Sequence, residues 1–81
     1  MKPKLYERVA LIRDWPEAGL RRGDVATVVD RVAHPADGDE GCVLEVFNAL
    51  GESIQVVTVP APFVSPVTSD DIPAIRRLVV A

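Results

Sequence analysis

A chain of 81 residues and 8.8 kDa makes one domain that buries only about 60% of its unfolded surface, and its 48% hydrophobic and 26% charged residues exclude a disordered segment or a long coiled coil. Nine Lys and Arg against twelve Asp and Glu give a net charge of -3 and a pI near 4.9, which disfavours nucleic-acid binding through a counterion-releasing basic face. Apolar runs are no longer than four residues, against the roughly 20 of a membrane span, and no signal core is present, so the expected location is cytoplasmic; the single cysteine, Cys42, excludes an internal disulfide.

The β-branched and aliphatic run Leu5 to Arg13 predicts a first strand, partly buried on both faces. Pro16, Gly19 and Gly23 follow in quick succession and predict a long structured loop. Val25 to Ala33, with four valines and a threonine, predicts a second strand, ended by the loop "HPADGDEG". In "CVLEVFN" Cys42, Leu44 and Val46 fall on one face and Val43, Glu45 and Phe47 on the other, the period of a third strand. "NALG" predicts a tight turn with Gly51 last, and "ESIQVVTV" returns as a fourth strand with Ile54 and Val56 facing in and Glu52 out.

Pro60 and Pro62 require a turn, after which "FVSPV" predicts a brief edge strand with Pro66 on its solvent side. Residues 68–81 form a C-terminal extension. Ser69 as N-cap, Asp70 and Asp71 in a first turn and Arg76 and Arg77 near the end allow a short helix there, although "LVVA" argues for extended chain. The elements together predict an all-β fold, a small SH3-like antiparallel barrel of about five strands over residues 1–81, with a five-stranded open sheet packed on a terminal helix as the lesser option.

"DWPEAGLRRGDVATVV" resembles the pattern L-P-E-x-G-L-x-x-G-D-x-G-T-V-V of a family of small bacterial proteins known only as a domain of unknown function. The matches are Pro16, Glu17, Gly19, Leu20, Gly23, Asp24, Thr27, Val28 and Val29, and "VLEVFNALGESIQVVTV" resembles the family's second block. The departures are Trp15 in an aliphatic position and Ala26 in a glycine position. The resemblance implies an SH3-like barrel and carries no activity.

"RRGDVATVVDRV" also resembles the KOW-type segment of ribosomal and transcription proteins, which implies phosphate contacts by Arg21, Arg22 and Arg31; Arg8 and Arg13 would complete a basic face. Asp24 and Asp30 among those arginines weaken that potential. His34, Asp37, Asp39 and Glu40 lack both a calcium-loop pattern and a zinc ligand set, so no metal and no cofactor is expected. Cys42 reads as a small buried hydrophobe and Ser53, Ser65 and Ser69 lack a nucleophile-elbow context, so the chain is expected not to be an enzyme.

The expected function is therefore a non-catalytic protein-binding module or a regulatory, antitoxin-like subunit, with a KOW-like nucleic-acid-associated barrel as the alternative. The candidate partner site is the first loop: Trp15, Pro16, Glu17, Leu20, Arg21 and Arg22, with the tryptophan either a platform for an extended, proline-rich segment or a lid on the core. Tyr6 and Phe63 are candidates to join it. Ile75, Leu78, Val79 and Val80 form an apolar end whose cover would be a partner or a second copy of the chain.

Overall fold

The computed structural model describes residues 3–33, 38 and 40–78. It contains β1 (Arg8–Leu11), β2 (Val25–Val32), β3 (Gly41–Phe47), β4 (Ser53–Pro60) and β5 (Val64–Pro66), with 3-10 turns at Pro16–Ala18 and Ala61–Phe63. All pairings are antiparallel, in one open sheet of order β4-β3-β2-β1-β5. That order, with a long loop between β1 and β2 and a 3-10 turn between β4 and β5, is the arrangement expected of an SH3-like chain. The sheet does not close by pairing β4 to β5; each stands at an edge.

One face carries the core. Val9 and Leu11 from β1, Ala26 and Val28 from β2, Cys42, Leu44 and Val46 from β3, Val59 from β4 and Val64 from β5 are buried together with Leu20. These side chains are mostly small, and the half-buried Trp15 and Phe63 pack against them from the side. No charged or polar side chain is buried among the described residues. The predicted alternation of the third strand holds, as does the turn after it, where Gly51 N–H donates to the Asn48 carbonyl at 3.0 Å. Asn48 Oδ1 fixes that turn by accepting from the N–H groups of Leu50 and Glu52 at 3.0 and 2.9 Å.

Three expectations need correction. The first strand is shorter than Leu5 to Arg13, because Tyr6 takes a φ of 65°, a left-handed conformation that no strand contains, inside a turn closed by Glu7 N–H to the Lys4 carbonyl. Its two faces are unequal: Val9 and Leu11 are buried, while on the other face Ala10 is partly buried and Arg8 exposed.

In the fourth strand Ile54 and Val56 face out, at 42% and 61% exposure, and Gln55, Val57 and Val59 face in. Phe47 pairs with Ser53 and Val46 with Gln55, so Ile54 is the extra residue of a bulge. Gln55 tolerates the inner face because its Nε2 donates to the Ala18 carbonyl at 3.1 Å.

The C-terminal segment is an extension, not a helix. Pro73 lacks the N–H that a helix begun at Ser69 needs for its first internal bond. Instead Thr68 N–H and Oγ1 donate to Asp71 Oδ2 at 2.7 and 3.1 Å, and Asp71 N–H closes a turn onto the Thr68 carbonyl. The chain then runs without regular secondary structure to Leu78, with Ile72, Ile75 and Leu78 exposed.

Candidate interaction site on the first loop

The loop between β1 and β2 is a small structure in its own right. Trp15 and Leu20 exchange backbone hydrogen bonds at 2.9 and 3.1 Å, and the 3-10 turn Pro16–Ala18 fills the space between them. Pro16 suits the first position of that turn, since its missing N–H would have had no partner there. A second turn, Arg21 to Asp24, is closed by Asp24 N–H to the Arg21 carbonyl at 3.0 Å with Gly23 at φ 94°. Only glycine takes that conformation without strain. Asp14 Oδ1 ties the two turns together by accepting from Arg22 N–H at 2.9 Å.

The tryptophan is both lid and surface. Its ring packs against the core and meets Phe63 edge to face, with centroids 5.2 Å apart and planes at 86°. The Arg13 guanidinium lies 4.5 Å from the Phe63 centroid, a cation–π geometry. Phe63 is placed by the 3-10 turn before β5 and anchored through its carbonyl, which accepts from Ile12 N–H at 2.8 Å. Trp15, Phe63 and Arg13 thus form a contiguous aromatic and cationic surface, edged by the exposed Pro16 and Glu17.

Of the other candidate residues, Leu20 is 5% exposed and belongs to the core, so it shapes the loop from within. Arg21 and Arg22 are exposed. Tyr6 is 74% exposed and takes no part in the Trp15–Phe63 ring contact. Of the five arginines of the nucleic-acid reading, two have side-chain neighbours among the described residues: Arg13 lies on Phe63, and Arg31 beside Glu40 at 4.0 Å. His34, Asp37 and Asp39 lie outside the described residues. Among the described residues no group of three or more His, Cys, Asp or Glu converges as a metal site would require. Cys42 is fully buried, and that burial, reinforced by the nearby Glu40 and opposed by Arg31, pushes its thiol above the ordinary value.

Asp24 is the charged residue most firmly held. Its carboxylate accepts from Arg21 N–H at 2.8 Å and from Arg76 of the C-terminal segment in a side-on pair, Nε to Oδ1 at 2.8 Å and an Nη to Oδ2. Partial burial opposes its ionisation, but the hydrogen bonds from Arg76 and Arg21, with their charges, hold the carboxyl below the usual range. The sequence marks Asp24 as a match to the family pattern and as a charge among arginines, with no sign of Arg76, which lies 52 residues away.

A family model described as a domain of unknown function, DUF4926, matches residues 5–64. The chain belongs to the DUF4926 family. The DUF4926 match takes in the first loop, β1 to β4, Phe63 and the first residue of β5, and it stops before the segment that carries Arg76. Comparison with curated proteins and with solved structures finds no match. Among the described residues of this DUF4926 chain, no helix is long and apolar enough to cross a membrane.

Proposed function

We propose that this chain is a protein-binding module, a regulatory or antitoxin-like subunit acting in the bacterial cytoplasm without catalysis of its own. The observation that carries this reading is the surface made by Trp15, Phe63 and Arg13 on the first loop, where a half-exposed indole is held rigid by a second ring. A rigid aromatic offers large contact area at low cost in conformational entropy, and beside an exposed proline it suits an extended, proline-rich partner segment. The acidic balance of the chain complements a basic partner. The exposed Ile75 and Leu78 offer a second contact, through which two copies would associate; Val79 and Val80 lie outside the described residues.

Trp15 is the chain's only tryptophan, so its fluorescence reports this surface alone. Capture from the source cell at physiological salt is expected to yield a protein whose isolated complex shifts the Trp15 emission and whose affinity falls roughly 10- to 100-fold in W15A, as for a hot-spot aromatic. An unshifted emission with W15A binding as tightly as wild type removes the reading. Retention of RNA or DNA at low salt, with no protein partner, favours the nucleic-acid alternative instead.

A further inference from the structure

Two acceptors of the first loop converge on one guanidinium. Arg76 donates Nε to Asp24 Oδ1 at 2.8 Å, an Nη to Asp24 Oδ2, and the same Nη to the Gly19 carbonyl at 3.1 Å. A planar fork with fixed donors meets this set; a lysine ammonium has no matching geometry. The receiving groups are held in place before the arginine arrives. Asp24 is fixed by the Arg21 turn and by its own carbonyl, which accepts from Leu11 N–H at 2.9 Å, and Gly19 by its N–H to the Pro16 carbonyl at 3.0 Å.

Between Ile72 and Leu78, every hydrogen bond to the rest of the described chain is made by Arg76. The segment lies over a groove of about 540 Å³ lined by Ala10, Val25 and Val67 of the sheet side and by Ile72, Pro73 and Ile75 of its own. Ile72 and Ile75 remain 91% and 80% exposed, so the segment buries little of itself there and is held chiefly by one side chain. The cup lies within the residues that the family model matches; its occupant lies beyond them.

We propose that Asp24 and the Gly19 carbonyl form an arginine-recognition cup for an extended segment of a partner protein, and that the C-terminal segment is its resident intramolecular occupant. A tethered occupant at high effective concentration masks the cup from weak competitors and yields to a partner segment that supplies both the arginine and apolar side chains to cover Ala10, Val25 and Val67. The cup stands on the same loop as the Trp15 surface but uses none of the Trp15, Phe63 or Arg13 side chains, and it shares with the proposed function the nature of the partner.

The test uses the full chain and two synthetic peptides: one with the sequence of residues 70–78, and one with alanine at the position of Arg76. The exposed Arg76 supports no core packing, so R76A is expected to fold as wild type does. Amide chemical shifts of Gly19 and Asp24 report binding. The arginine peptide is expected to bind R76A roughly tenfold more tightly than wild type, because the tethered competitor has lost its guanidinium. The alanine peptide is expected to bind neither chain, and adding D24N to R76A is expected to abolish binding of the arginine peptide.

Equal affinity of wild type and R76A for the arginine peptide, or equal binding of the two peptides by R76A, overturns the proposal without relying on any variant of Asp24. A wild-type dimer that R76A turns into a monomer overturns the partner assignment in favour of segment exchange between copies. The peptide titration is read with R76A and the aromatic surface with W15A, so failure here and failure of that surface are read by different variants.

Discussion

Gly23 and Asp24 are adjacent and do different work. Gly23 supplies a φ of 94°, with nothing within 4 Å of where a Cβ would stand, so the cost of G23A is conformational, not steric. That cost is about 1–2 kcal/mol, and a urea midpoint measured beside wild type checks it. Asp24 supplies charge. Its carboxyl titrates below the ordinary value of 3.8, so the folded state holds fewer protons than the unfolded chain as pH falls. The sign follows: its contribution is complete above about pH 4 and is lost as pH drops through the depressed value. Release of the C-terminal segment, followed through the Arg76 Nε–H resonance, is therefore expected only in strong acid, and D24N is expected to show release at pH 7. The pair was half legible: the turn glycine and the backbone-bonding aspartate follow from "RRGD", whereas Arg76 is brought to Asp24 by the path of the extension.

Among the elements, β4 shows where periodicity reaches its limit. Both of its alternating sets look apolar, Ile54 with Val56 and Val57 with Val59, and Gln55 in the second set argues for the wrong phase. The bulge at Ile54 and the amide partner at Ala18 decide the matter, and both are tertiary. The corrected phase makes a contrast: V56K is expected to change stability by no more than about 0.5 kcal/mol, and V59K to prevent folding by placing a charge in the core. Circular dichroism melts of the two variants decide it, and the reverse order would restore the original phase. The strand positions were legible because valine-rich runs stand between glycine and proline clusters. The C-terminal helix signal was misleading, since caps and dipole polarity can be satisfied on paper while one proline removes the first internal donor.

At the scale of the whole molecule, the core is small and has no covalent staple, so each large side chain within it counts. Leu44 is completely buried at the centre of β3, and L44A is expected to cost about 2–5 kcal/mol. Against the roughly 5–15 kcal/mol that holds a typical domain together, such a loss populates the unfolded state measurably near body temperature, as a thermal melt would show. Trp15 was legible as the centre of the candidate surface because it is the lone tryptophan in a loop. Phe63, a candidate to join it, does so, whereas Tyr6 does not and Arg13 was not foreseen there; the pairing of β1 with β5 brings these groups together, and no local pattern encodes that pairing.

That pairing also orders events during synthesis. The meander β1-β2-β3-β4 pairs only strands adjacent in sequence, but the pair β1–β5 waits for β5, made more than fifty residues later. Until Val64–Pro66 emerges, the first strand lacks its second neighbour and the indole of Trp15 has no ring to meet. The nascent chain thus carries its aromatic surface unassembled, and acquires it only once β5 has been made.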